Sequence, residues 1–257
     1  MISIDSIGAQ LYTVRDFCKT EDDLKLTLEK VAKTGYKSVQ VSGVAVDDAK
    51  FIKKTADDNG LKIVATHFSY EEMADGIEEI IEKHRIYDCK YVGISSMPKE
   101  LRTTKEGFLS FAKDANRFGE TFKKAGFSLV YHNHAFEFAK FDNKRGIDIL
   151  IDETDRELVQ FEIDTYWVQV GGSSPADYIE RLRGRIDVIH FKDMYPRDNA
   201  PVMTEIGNGN IDFVKILGIC DKSNVKHILV EQDRCERDPF ESLKISYDYL
   251  KSVSGGN

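Results

Sequence analysis

No stretch of this sequence approaches the roughly 20 apolar residues of a membrane span, so no membrane association is expected. Met1 to Gly8 carry no basic segment followed by an apolar one, and no secretory signal is expected either. The four cysteines, Cys18, Cys89, Cys220 and Cys235, are scattered and form no CxxC pair. They predict idle thiols in a reducing compartment, hence a cytoplasmic protein, and no cysteine-ligated metal. Proline is scarce, at five residues, and there is no low-complexity tract or repeat of 20–50 residues, which excludes fibrous and disordered classes. Positive charge is also in deficit: 36 Lys and Arg face 44 Asp and Glu, a net charge of −8. That balance argues against a nucleic-acid partner.

What is present is a regular alternation. Short β-branched and aromatic runs recur at Ile7 to Val14, Ser38 to Ser42, Lys62 to Phe68 and Tyr91 to Ser95. Four more follow at Ser128 to His134, Val159 to Thr165, Ile186 to Lys192 and His227 to Gln232. Most are apolar on both parities, as in Ile228-Leu229-Val230, which is how strands covered on both faces read. Between them lie helical patterns: Glu21 to Thr34, Asp47 to Asn59, Glu71 to Ile86, Lys105 to Lys124, Pro175 to Leu182, Ile211 to Cys220 and Pro239 to Val253. The helix after the fifth strand has the faintest pattern, Ile147 to Asp152. Eight strand–helix units in 257 residues predict one α/β domain, a (β/α)8 TIM barrel over residues 1–257. An open doubly wound sheet usually places a glycine-rich phosphate loop after its first strand. Here Tyr12-Thr13-Val14-Arg15 stands there instead.

The ligand-capable residues fall at the C-terminal ends of these strands. His67, His132, His134 and His190 do so, as do Asp164, Asp193 and Glu231. In a barrel those ends converge on one mouth, where active sites sit. A carboxylate deep in an apolar strand is costly unless it is paired, hydrogen-bonded or bound to metal. Asp164 and Glu231 are therefore read as ligands, with a cap for the next turn as the bland alternative for Asp164. His190 joins them, and a satisfied core histidine is its alternative. The segment His132-Asn133-His134-Ala135-Phe136-Glu137 offers three further donors, and spacing alone does not choose among them. Mixed His and carboxylate donors suit one divalent ion, Mn²⁺, Co²⁺, Zn²⁺ or Fe²⁺.

Lys192 is read as an oxyanion stabiliser or proton carrier, against a rim salt bridge with Asp193. Trp167, the single tryptophan, suits an aromatic platform for a sugar ring. Gln10, Tyr12, His67, His134 and Asp193 are candidate substrate contacts. The long segment Met194 to Asn210, with its Gly207-Asn208-Gly209 turn, is a candidate lid.

Together, His132-Asn133-His134-Ala135-Phe136-Glu137-Phe138, Asp164-Thr165-Tyr166-Trp167, His190-Phe191-Lys192-Asp193-Met194, Gly207-Asn208-Gly209 and Val230-Glu231-Gln232-Asp233 resemble the sugar phosphate isomerase/epimerase group of xylose isomerase-like barrels. The resemblance runs from Ile7 to about Tyr249. It implies one divalent ion held by a Glu after strand five, an Asp after six, a His after seven and a Glu after eight. Asp164, His190 and Glu231 match the last three. His132 stands where the epimerases carry the Glu, so the fourth ligand lies between His132 and Glu137. The expectation adopted is Glu137 on the metal, with His132 on substrate or as base. Trp167 replaces a histidine of many relatives. The shared step of such enzymes is removal of a proton next to a carbonyl through an enediolate. The resemblance implies a metal-dependent isomerase or epimerase of a small sugar or keto-sugar. The alternative is a lyase or dehydratase on a keto-sugar or 3-keto-glycoside using the same chemistry. A metal-free binding barrel is the distant reading. A homo-oligomer is left open.

Overall fold

Apolar runs that are buried on both faces close on themselves when helices cover the outside, and this chain does so. The computed structural model describes residues 2–254; residues 1 and 255–257 of the expected domain lie outside the described residues. The strands are β1 (Ile7–Gln10), β2 (Ser38–Val41), β3 (Lys62–Phe68), β4 (Tyr91–Ile94), β5 (Ser128–His132), β6 (Lys140–Phe141), β7 (Lys144–Arg145), β8 (Val159–Asp164), β9 (Val188–Phe191), β10 (Asp193–Arg197), β11 (Ala200–Thr204) and β12 (His227–Val230). Eight of them pair in parallel as a closed barrel, in the order β1-β12-β9-β8-β5-β4-β3-β2. Two antiparallel hairpins, β6–β7 and β10–β11, stand outside it. The TIM barrel expected from the alternation is the observed fold.

The helices are α1 (Glu21–Thr34), α2 (Ala49–Asp58), α3 (Tyr70–Tyr87), α4 (Lys105–Lys124), α5 (Gly146–Glu153), α6 (Thr165–Val170), α7 (Pro175–Arg181), α8 (Phe213–Lys222) and α9 (Pro239–Val253). Their starts are fixed locally. Thr20 with Asp23 and Ser69 with Glu72 form capping boxes, and Pro175 and Pro239 occupy first turns. None of the described helices is long and apolar enough to cross a membrane.

The period of two sorts the strand side chains. Ile163, Ile189, Phe191 and Ile228 face the helices and join the main core. Val130, Val188 and Leu229 fill the barrel axis with Ala65, Val64 and Tyr91. Above this apolar plug the inward positions turn polar. The strands stop earlier than their apolar runs suggest. The first ends at Gln10, and Leu11–Phe17 coils into a 3-10 helix in place of a strand to Val14. Both hairpins turn through Asp-Asn pairs, Asp142-Asn143 and Asp198-Asn199, all four residues with positive φ. Asn and Asp tolerate the left-handed region that a two-residue hairpin turn requires.

Candidate active site at the mouth of the barrel

Consecutive inward positions on β8, Glu162 and Asp164, set polar groups in two tiers. The upper tier is His132, Asp164, His190 and Glu231, from β5, β8, β9 and the end of β12. One donor atom from each lies within 4.8 Å of the others, and all four residues are buried. The lower tier is Gln10, Gln40, His67 and Glu162. His190 belongs to both.

The protonation pattern of the upper tier follows from its fixed neighbours. His132 Nδ1 faces the Ser95 carbonyl at 3.3 Å, so it carries the hydrogen. The neutral ring then turns the lone pair of Nε2 toward Asp164 Oδ2, also 3.3 Å away. His190 Nε2 donates to Gln40 Oε1 at 2.6 Å, which leaves the Nδ1 lone pair facing Glu231 Oε2 at 2.9 Å. Both atoms are buried, and Glu231 Oε2 also has the Lys192 ammonium 3.0 Å away. Two pairs of acceptors thus face each other around one point. Such pairs need a proton or a cation between them. Two imidazoles and two carboxylates are also an ordinary donor set for a divalent transition ion. The residues fit a metal.

The electrostatics agree. Burial disfavours charge on His190, yet Glu162 and Glu231 outweigh it and raise the pKa to about 10. Near neutral pH Nδ1 therefore carries a hydrogen toward Glu231, and a metal ion held there would take that proton's place. Lys192 Nζ lies 3.0 Å from Asp164 Oδ2, 3.0 Å from Glu231 Oε2 and 3.1 Å from Asp233. Burial opposes its charge, but the three carboxylates prevail and hold the ammonium form well above the usual range. Burial and the adjacent Glu231 push Asp233 up to about 7. Asp164 does two jobs. Its Oδ1 accepts from the Trp167 amide at the start of α6, while Oδ2 faces the cluster.

His132, Glu231, Lys192 and Asp233 open onto a cavity of about 900 Å³, with Asp164 and His190 buried behind them. His67, His132, His134, Trp167, Lys192 and Glu231, all singled out in the sequence, line it, and so do Tyr12, Asp233 and the hairpin residues Pro201, Val202 and Met203. His67 leans across β4 because Gly93 leaves space: a Cβ there would lie 2.5 Å from its ring. Burial drives the His134 pKa down to about 2, so this ring is neutral, and its Nδ1 is buried without a partner. Trp167 stands 5.5 Å from the His134 ring centre and carries Lys192 over its face at 5.6 Å.

Three expectations are corrected. Glu137 does not join the metal-capable cluster. Its carboxylate is buried beside the barrel, where Oε1 accepts from the Tyr131 hydroxyl at 2.7 Å and Oε2 from the His134 amide at 2.9 Å. It shapes the β5 loop, and His132 takes the fourth place in the cluster. Asp193 does not line the cavity. It accepts from the amides of Met194, Gly207, Gly209 and Ile211 at 2.8–3.2 Å, which ties the Gly207-Asn208-Gly209 turn to the base of the β10–β11 hairpin. Gly209 is required there, since a Cβ would meet Asp193 Oδ1 at 2.3 Å. Gln10 lies a tier below the cavity and donates to Gln40 Oε1 at 2.8 Å. Gln40, Glu162 and Asp233 join these groups without having stood out in the sequence as site residues. Glu162 had a signal, since it precedes Asp164 by two residues and shares its inward parity.

The chain belongs to the xylose isomerase-like TIM barrel family, whose model matches residues 28–253. Inosose dehydratase of Clostridium perfringens is 23% identical, with 90% of each chain covered. A solved sugar phosphate isomerase/epimerase from Parabacteroides distasonis superposes with a TM-score of 0.81 at 24% identity, covering 98% of this chain and 95% of that one. A structure of the IolI protein with a bound zinc atom superposes with a TM-score of 0.71 at 14% identity, over 96% and 97% of the two chains.

Proposed function

We propose that the protein is a divalent-metal-dependent lyase that eliminates water or an alcohol from a polyhydroxylated keto-sugar or keto-cyclitol. His132, Asp164, His190 and Glu231 hold the ion. The observation that carries this reading is the pair of facing acceptors, His190 Nδ1 against Glu231 Oε2 and His132 Nε2 against Asp164 Oδ2, at the floor of the cavity. The ion supplies Lewis acidity toward the substrate carbonyl and its neighbouring hydroxyl.

The chain's own residues divide the remaining work. Asp233 takes the proton from the carbon next to the carbonyl, and its raised pKa places it near the neutral range a general base needs. Lys192, held against Asp233, sets a fixed positive charge beside the enolate oxygen. The β C–O bond then breaks, and Asp233 returns its proton to the departing oxygen. The products are an unsaturated ketone and water or alcohol. Trp167 and the neutral His134 ring form a wall for the sugar ring and an acceptor for one of its hydroxyls.

Elimination is favoured over isomerisation by where the carboxylates lie. The acidic side chains lining the cavity are Glu231, Asp233 and Glu236, all from the segment after β12. The opposite wall offers His67, His132 and His134, and burial lowers the pKa of the last two. One-sided proton handling suits a base that becomes the acid on the same face. A two-sided epimerisation lacks its second carboxylate. The name inosose dehydratase among the relatives agrees with a lyase.

The test is a screen of inososes, ketoses and 3-keto-glycosides with Mn²⁺ or Co²⁺ in D₂O. Proton NMR reads exchange at the carbon next to the carbonyl, and ultraviolet absorbance reads the unsaturated ketone. Exchange with an isomer and no elimination product makes the protein an isomerase. Turnover that survives exhaustive chelation removes the metal from the reading.

A further inference from the structure

Glu162 is fully enclosed and does not line the cavity. It is fully buried on β8, with neighbours contributed by β2, β3 and β9. Its Oε1 accepts from Gln40 Nε2 at 2.9 Å and lies 3.2 Å from His190 Nε2. Its Oε2 accepts from His67 Nε2.

These contacts fix orientations in sequence. A carboxylate only accepts, so Gln40 must turn its amide nitrogen toward Glu162. The Gln40 oxygen then points the other way, where it receives Gln10 Nε2 at 2.8 Å and His190 Nε2 at 2.6 Å. An oxygen acceptor at that place requires the His190 hydrogen on Nε2. The Nδ1 lone pair is left for the upper tier. The same carboxylate draws the His67 hydrogen to Nε2 and leaves Nδ1 of that ring, which borders the cavity, as an acceptor.

We infer that Glu162, acting through Gln40 and directly, is the positioning residue that selects the metal-binding tautomer of His190 and orients His67 toward the substrate. This rests on the metal site proposed above. A buried acceptor behind a ligating histidine fixes its ring and raises its basicity, and losing such a partner typically weakens metal binding by about 10–100-fold. Glu162→Gln keeps the shape but not the pattern. One of its two positions becomes a donor, so either His67 must accept through Nε2 or Gln40 must flip its amide.

Zinc affinity, measured by competition with a chromophoric chelator, is the first readout. The wild type is expected to bind one ion per chain, and E162Q to bind it about 10–100-fold more weakly with its circular dichroism unchanged. Nitrogen-15 NMR of the wild-type histidines is the second, and it needs no variant to fold. It should show His190 protonated at Nε2 and shifted at Nδ1 on adding zinc. A folded E162Q that binds zinc within two-fold of wild type overturns the inference and leaves the metal site standing. So does a zinc-bound wild type with His190 coordinated through Nε2. A wild type that binds no zinc, manganese or cobalt overturns both readings.

Discussion

At the floor of the barrel the Asp187 carboxylate accepts from the Tyr91 hydroxyl at 2.8 Å, from Gln160 at 3.3 Å and from Lys226 at 2.9 Å. Beside it the Arg185 guanidinium spends its donors on Val159 O, Ile151 O, and the carbonyl and hydroxyl of Thr154. At the mouth, toward the C-terminal ends of the same strands, His190 Nδ1 faces Glu231 Oε2 at 2.9 Å with the Lys192 ammonium 3.0 Å from that oxygen, and His134 Nδ1 has no partner. Both clusters mix charge signs, but the floor is only partly buried, with the Lys226 and Asp187 side chains 43% and 15% exposed, while the mouth cluster is buried. The floor closes its accounts internally, while the mouth leaves acceptors facing acceptors. Buried polar groups are normally satisfied. A cluster that is not, at the end of a barrel where substrates enter, is shaped for something beyond the chain.

Lys192 gives the largest expected break in that comparison. It belongs to the mouth, so Lys192→Met should act on turnover more than on folding. Loss of one fixed charge at a developing oxyanion typically costs a few kcal/mol. A fall in kcat of about 100-fold or more is expected on the substrate the screen identifies, with metal content retained. If kcat stays within a few-fold of wild type, the ammonium is only a counter-charge for Asp164 and Glu231.

Arg185 is the counterpart at the floor. Arg185→Met removes donors from several buried oxygens and leaves the mouth untouched. Unsatisfied buried groups of this kind typically sum to about 3 kcal/mol of lost stability. Urea unfolding should show that loss, with kcat and KM unchanged. A floor variant that alters kcat while remaining folded would erase the division between the two ends.

The barrel was legible in the sequence because its strands are short, doubly buried and evenly spaced. α1, α4 and α9 run from Glu21 to Thr34, Lys105 to Lys124 and Pro239 to Val253, as the periodicity and their stop and start residues predict. The upper tier was legible too, because Asp164, His190 and Glu231 interrupt apolar strands where a polar side chain needs a partner. The lower tier was less so. Gln10 and Gln40 are neutral and raise no alarm in a strand, and Glu162 hid behind its neighbour Asp164. Glu137 misled for a physical reason. Its position beyond β5 suits either a reach into the mouth or a turn contact. Only the 3-10 turn Phe136–Phe138 and the Tyr131 hydroxyl decide for the second. Asp193 misled similarly, since nothing local reveals that Gly207 and Gly209 return to it across the hairpin.

Glu137 sharpens the comparison through pH, because it is a buried acid near the mouth that is satisfied like those at the floor. Burial raises its pKa to about 7 against an ordinary value of 4.5. The protonated form is therefore the one the fold prefers. Its contribution to stability is fully present below pH 4.5 and is lost as the pH rises through about 7. Glu137→Gln keeps an acceptor for the His134 amide and removes the titration. The variant should match wild type near pH 4.5 and gain on it toward pH 7, by an amount on the order of 1–3 kcal/mol. Denaturant midpoints at the two pH values measure this. A constant difference across the range would mean that Glu137 is ionised throughout.

The smallest effect is expected where the mouth meets solvent. Arg197 on β10 pairs with Glu236 at 2.5 Å, and their side chains are 47% and 58% exposed. The contact ties the β10–β11 hairpin to the segment that carries Glu231 and Asp233. Exposed pairs contribute about 1 kcal/mol or less, so Arg197→Ala should leave the unfolding midpoint nearly unchanged. The hairpin nevertheless sets Pro201, Val202 and Met203 into the cavity wall. Freed from Glu236, it should hold the substrate less firmly while leaving Lys192, Asp233 and the metal-capable cluster in place. A few-fold rise in KM with kcat preserved is the expected signature, read by steady-state kinetics. A kcat that falls with KM unchanged would move the hairpin from the wall of the cavity into the chemistry of the mouth.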